Sequence, residues 1–250
     1  MMMKSFIFSA VATVGLSLCN QSVQARSWRI NSNPDAKANF TSINAAMESL
    51  DVFKGDTLYL DPGCSLRDQS INKAVTIIGP GYNLDGNEQE IMLDGISFGT
   101  NKVVDHAKIE GCHIGYLSIS RASNLTIERC KIGSVGISHQ DRPEGVSFLS
   151  CFIYNKLGNY VVFSGENNRS IIMNNCIVLG AVAKLQLSTF TNNVFISYNV
   201  GGVLLEVTNS SIKNNIIINA NAGYVLGEDE RPYYYKNNTI ANTAVTDNNT

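Results

Sequence analysis

The chain is poor in net charge, in tryptophan and in long apolar runs. Its 19 Lys and Arg stand against 21 Asp and Glu for a net charge of −2, and the basic residues do not cluster. That excludes a nucleic-acid partner, which needs a basic patch or stripe. The longest apolar stretch, Phe6–Leu18, covers 13 residues and is too short to span a bilayer. Nothing later is longer, so no transmembrane span is expected. No Cys-x-x-Cys and no neighbouring His pair occurs, so the spacings of a zinc site are missing and no metal is expected. The single tryptophan, Trp28, follows the apolar stretch closely and reads as a packing anchor rather than a binding face.

The first 25 residues read as a targeting segment. Lys4 supplies the positive end, Phe6–Leu18 the apolar centre, and Val23-Gln24-Ala25 the small residues before a cut ahead of Arg26. The expected organisation is a signal peptide at 1–25 and one domain at 26–250, in a secreted, periplasmic or cell-surface protein. The alternative is a lipid anchor on Cys19; against it stands Leu18, where a lipidation site usually has a small residue.

What the chain does have is a repeat. A hexad (apolar, free, small or polar, Cys or Asn, free, apolar) recurs at Ile109–Ile114, Ile127–Ile132, Phe148–Ile153, Met173–Val178, Phe190–Phe195, Ile212–Ile217 and Tyr235–Ile240. Its fourth position reads Cys112, Cys130, Cys151, Cys176, Asn193, Asn215, Asn238, at intervals of 18, 21, 25, 17, 22 and 23 residues. Short strands repeating at this period mark a stacked coil of sheet. Side chains alternate faces along a strand, so positions one and six share the inside only if a tight turn intervenes between three and four. Stacking then brings like positions within about 4.8 Å, and position four becomes an internal ladder. Asparagines there can pass hydrogen bonds from coil to coil, and cysteines pack as small apolar residues.

Once Cys19 leaves with the leader, five cysteines remain, an odd number. Ladder cysteines point in parallel, with Cβ atoms farther apart than the roughly 3.8 Å a disulfide prefers. Buried free thiols are expected. A third strand per coil fits between hexads, at Tyr116–Ile119, Val135–Ser138, Tyr160–Phe163, Val182–Leu187, Val203–Val207 and Tyr224–Leu226. Residues 26–38 read as a polar lead-in. Phe40, Ile43, Ala46, Met47 and Leu50 fall on one face of a short helix over 40–50, which would cap the open end of the coil. Residues 243–250 carry no apolar cap, so the far end is frayed or covered by a further partner in a larger assembly.

This pattern resembles the right-handed parallel β-helix of the pectin-lyase-like superfamily, which is known for internal Asn, aliphatic and aromatic stacks. The N-terminal segment is similar to the opening such proteins share: Asn39–Met47, Lys54–Gly63 and Ala74–Gly81. The resemblance implies an all-β, right-handed parallel β-helix with a short N-terminal capping helix. It implies no single activity, because the superfamily holds lyases, hydrolases, adhesins and scaffolds.

The most polar segments follow the third strand of their coils and would stack along one edge. They carry His139, Asp141, Arg142 and Glu144, then Glu166 and Arg169, then Glu228, Asp229, Arg231 and Tyr233. A sugar site needs carboxylates for hydroxyls and aromatic faces for rings, and these residues supply both; a merely solvated rim is the competing reading. Paired carboxylates, Asp141 or Glu144 against Glu166, would suit a hydrolase. His113 falls at an outward hexad position, and His106 and His139 have no partner at fixed spacing. Tyr235 holds hexad position one and reads as core. The Arg-rich segment of pectate lyases and the Asn-Thr-Asp, Asp-Asp, Gly-His-Gly and Arg-Ile-Lys segments of polygalacturonases are missing. These observations favour a secreted or surface β-helix that binds a polysaccharide or cell-surface glycan, or builds structure, without catalysis and without a cofactor. The alternative is a lyase or glycoside hydrolase acting on uronic-acid polysaccharides, with calcium entering only for a lyase. No catalytic residue is assigned.

Overall fold

A computed structural model of the chain describes residues 24–82, 92–138, 143–154, 161–197, 205–208, 210–219, 224–225, 234–236, 239–241 and 245–246. Every strand pair is parallel, and the coils stack as a solenoid. One sheet runs through Ser27–Ile30, Thr57–Leu60, Thr76–Ile78, Lys108–Glu110, Thr126–Glu128, Val146–Leu149, Ile171–Asn174, Thr189–Thr191, Ser211–Lys213 and Tyr234–Lys236. Its inward column is Leu58, Ile77, Ile109, Ile127, Phe148, Met173, Phe190, Ile212, each in register with the next and each buried. Tyr235 takes the next place in register, as expected for a first hexad position.

The rest of each coil forms the other two faces. In Met92–Phe98, His113–Ile119 and Lys131–Ile137 one continuous strand crosses both. Gly115 and Gly133 sit within it where coils approach closely; a Cβ on Gly133 would lie 3.2 Å from the Gly115 carbonyl carbon. After that coil the faces separate. Phe152–Tyr154, Ile177–Leu179, Val194–Ser197, Ile216–Asn219 and Thr239–Ala241 continue one, and Val161–Arg169, Ala181–Gln186 and Leu205–Thr208 the other. These are the second and third strands the spacing predicts.

The bend inside the hexad has a definite conformation. Position three is left-handed in the first six hexads: Gly111 (φ 63°), Arg129 (49°), Ser150 (53°), Asn175 (58°), Asn192 (59°) and Asn214 (56°). This turns the chain sharply and brings positions one, four and six to the same interior. Gly and Asn tolerate the region; other residues give up about 1 kcal/mol or more. A second left-handed corner, three residues before each of the first five hexads, is held by His106, Asn124, Gly145, Ser170 and Leu187.

Between these corners the interior is stitched by side chains. Asn193 Oδ1 accepts from the Cys176 N–H at 2.8 Å, and Asn215 Oδ1 accepts from the Asn193 N–H at 2.8 Å. The amide nitrogens donate backwards, Asn193 Nδ2 to the Met173 carbonyl at 3.0 Å and Asn215 Nδ2 to that of Phe190 at 2.9 Å. The cysteines repeat the geometry with a weaker donor. Cys176 Sγ lies 3.3 Å from the Phe148 carbonyl and Cys151 Sγ 3.5 Å from that of Ile127. Each contact runs from position four to position one of the preceding coil, so thiol and amide are interchangeable in place though not in strength. At the other corner, Ser188 and Ser210 hydroxyls accept from the Ile171 and Ser188 N–H groups.

The N-terminal region departs from the sequence expectation in three ways. The polar lead-in contributes a strand, Ser27–Ile30, because Trp28 and Ile30 register with Leu58 and Leu60. The helix spans only Ile43–Glu48, with Ile43, Ala46 and Met47 buried. Ser49 turns extended and ends it, leaving Leu50 90% exposed, while Phe40 instead bridges to Ile30 and packs on Trp28. The helix meets the first coil through Asn44, whose carboxamide accepts from the Ser70 N–H and donates to the Asp68 carbonyl. That occupies backbone groups which an edge strand would otherwise leave open. Trp28 is the anchor expected of it: its Nε1 donates to Asp56 at 2.8 Å. Asp56 is fully buried and also accepts from the Arg26 and Phe53 N–H groups. Burial opposes its charge, but these hydrogen bonds prevail and hold the carboxyl below the ordinary range.

Two outcomes follow. Asn215→Ala, which leaves the Asn193 N–H and Phe190 carbonyl unpaired, lowers stability by about 3 kcal/mol, whereas exposed Asn214→Gly keeps its bend and changes it by less than about 1 kcal/mol; thermal melting distinguishes them. Asp56→Ala costs about 2 kcal/mol at neutral pH. Because the folded carboxyl sits below its unfolded value of about 4, that contribution is complete above pH 4 and is lost as pH falls through the folded value. The melting temperature of the variant therefore depends less steeply on pH below 4 than that of the parent.

Candidate functional site

Of the residues expected at the polar edge, His139, Asp141, Arg142, Glu228, Asp229, Arg231 and Tyr233 lie outside the described residues, as do residues 1–23 of the segment read as a leader. Glu144 is exposed at the corner after its third strand, in register with Ser123. Glu166 and Arg169 do not sit in a loop. They belong to the strand Val161–Arg169, whose pairing with Ala181–Gln186 slips between Ser164 and Asn168. Three residues, Gly165 to Asn167, stand there against Lys184 alone, an enlarged bulge that lengthens the strand without opening a loop.

Beside that edge lies the third face, and its outward side chains were not singled out by the sequence pattern. Across Met92–Phe98, His113–Ile119 and Lys131–Ile137 the register aligns Gly95, Tyr116 and Ser134 in one outward column and Ser97, Ser118 and Gly136 in the next. All are small except Tyr116, which is 47% exposed. Its ring reaches over Gly136, where an added Cβ would come within 3.2 Å of Cζ. The result is a shallow trough, floored by backbone and lined by hydroxyls, with an aromatic ring reaching over its floor. An amphipathic ring of this kind offers an apolar face and a polar tip. The signal in the sequence was the pair of outward Ser and Gly positions around one Tyr; period-two alternation marks them as outward but not as neighbours.

The corner next to the trough carries charge. His106 Nδ1 lies 2.8 Å from Asp105 Oδ2, and Asn124 Nδ2 donates to Asp105 Oδ1 at 2.9 Å. These hydrogen bonds, from Asn124 first and then His106, hold the Asp105 carboxyl below the ordinary range. His106 thus has a partner, its own chain neighbour, oriented from the next coil. His113 also differs from expectation. It occupies an outward position yet is buried, with Nε2 3.0 Å from the Tyr154 hydroxyl. Tyr154 reaches back across the Lys131 coil to cover it.

Cys64, Cys112, Cys130, Cys151 and Cys176 are all buried and free. Burial, with the Cys112 thiol beside it, pushes the Cys130 thiol well above its usual value; the hydrogen bond to Cys176, with burial, does the same for Cys151. The same hydrogen bond lowers the Cys176 thiol, so what the five share is enclosure, which shuts out reagents and metal ions alike. Among the described residues no group of three or more His, Cys, Asp or Glu could hold a metal ion, and no helix is long and apolar enough to cross a membrane. No known protein family, characterised protein or solved structure matches the chain. The inertness of the ladder is directly measurable: alkylation of the native protein leaves peptides containing these five cysteines unmodified, and unfolding in denaturant exposes all of them to the reagent.

Proposed function

We propose that the protein is a secreted or cell-surface β-helix that binds a glycan through its third face, without catalysis, and that it belongs among the pectin-lyase-like β-helices its sequence resembles. The observation that carries this reading is the trough: an exposed tyrosine among Ser97, Ser118, Ser134 and glycine backbone. Serine hydroxyls donate to and accept from sugar hydroxyls, while the ring takes the C–H face of a pyranose. The outward groups of these columns are hydroxyls and one phenol ring, with the exposed Asp68 carboxylate over Gly95 at their edge, a set suited to recognising sugar hydroxyls.

One observation favours the enzymatic alternative, a lyase or hydrolase of uronic-acid polysaccharide. His106 is paired through Nδ1 with Asp105, which Asn124 orients in turn, the arrangement of a general base. A lyase of this kind would call for calcium; Asp105 and Glu144 are the described carboxylates on that corner.

A glycan array on the purified chain yields retained oligosaccharides, and Tyr116→Ala weakens their binding about tenfold, equivalent to roughly 1.4 kcal/mol. Reducing-sugar and unsaturated-uronate assays on the same ligands show no turnover. Turnover that disappears in His106→Gln would instead establish the enzyme.

A further inference from the structure

A second cleft lies at the left-handed corner of the hexads, away from the trough. It encloses about 440 Å³ and is lined by Ile78, Gly79, Pro80, Gly81, Tyr82, Glu110, Gly111, Arg129 and Ser150. That volume is within the range of small-molecule sites. Its apolar wall is the segment Ile78–Tyr82, which the sheet register pins in place: the Gly79 N–H donates to the Glu110 carbonyl and the Gly81 N–H to that of Gly111. Pro80 stands where later coils have Cys or Asn, so here the internal ladder is replaced by a turn. Burial raises the Tyr82 hydroxyl above its ordinary pKa, keeping it a neutral donor.

The polar wall is Arg129 and Glu110, and Lys108 and Glu128 complete an ion network with them outside the lining. Lys108 Nζ lies 2.7 Å from Glu110 and 2.7 Å from Glu128, and Arg129 closes on the other oxygen of Glu110. Glu110 is 15% exposed while Arg129 is 64% exposed. Arg129 is also conspicuous on backbone grounds. It occupies the left-handed position that other coils give to Gly, Ser or Asn. A long side chain gains nothing from that conformation, and an exposed ion pair compensates only weakly. Strain of this kind, kept where a relaxed residue would fit, points to use.

We propose that this cleft binds a single neutral sugar ring. In the lining one cation, Arg129, is paired with one carboxylate, Glu110, which Lys108 pairs as well, so a charged ligand would have to break an existing pair. Adjacent hydroxyls need break none: one accepts from the Arg129 guanidinium while its neighbour donates to Glu110. Pro80 and Tyr82 offer the ring its apolar face, and Ser150 a further hydroxyl. The site is independent of the third-face trough and remains if that surface binds nothing.

Saturation-transfer NMR and calorimetry on the whole chain, with methyl glucoside, methyl galactoside, methyl mannoside and methyl glucuronide, decide the matter. The expected result is millimolar binding of at least one neutral glycoside, weakened tenfold or more by Arg129→Asn and by Tyr82→Ala and unchanged by Tyr116→Ala. Arg129→Asn suits the bend and melts no lower than the parent, so its loss of binding is not unfolding. Failure of every neutral glycoside to bind, affinity indifferent to Arg129→Asn, or tighter binding of the glucuronide would each overturn the proposal.

Discussion

The structure depends on one constraint: each coil must place its backbone donors and acceptors opposite those of the coil before it. Parallel strands satisfy this along the faces, but the corners break the ladder of strand hydrogen bonds. The chain meets the gap from inside, with Asn193 and Asn215 at one corner and Ser188 and Ser210 at the other. Each of these side chains accepts a peptide N–H that would otherwise be buried without a partner, at a cost of about 1–3 kcal/mol apiece. Where cysteine takes the place of asparagine, the sulfur makes the same contacts at longer range. The left-handed residue beside each ladder position exists to aim it.

Because the interior is so fully specified, function is confined to the outward columns and the corners. There the solenoid sets a ruler, repeating every ~4.8 Å, on which neighbouring coils present their free positions side by side. The trough around Tyr116 and the cleft around Arg129 arise in the same way. In both, one large side chain stands among small ones: Gly136 and the serines in the first, Gly79, Gly81, Gly111 and Ser150 in the second. Gly136 admits the Tyr116 ring and Gly79 the Gly111 backbone, each of which a Cβ would exclude.

The sequence made the interior readable and the exterior only partly so. All seven hexads keep their predicted register where described, and the third strands begin within a residue or two of their expected places. Periodicity carried that far because inside and outside alternate by chemistry. It failed at Leu50, where apolar spacing continued past the point at which Ser49 stops the helix. It failed at Glu166 and Arg169, whose polar character resembled a loop although a bulge absorbs them into a strand. His113 was read as exposed because it falls on an outward position, and only a tyrosine 41 residues later encloses it.

What the sequence alone determined is the winding: a parallel, all-β coil with a Cys-then-Asn ladder and five buried thiols, since those follow from local alternation and a repeated turn. What only the tertiary structure decided is which outward residues become neighbours. Tyr116 meets Gly136, Asp105 meets Asn124, and Arg129 meets Glu110 in a cleft shared with Tyr82 because coils of unequal length are brought into lateral register by the interior. Side-chain direction across coils is set by that packing, and no spacing within a single coil encodes it.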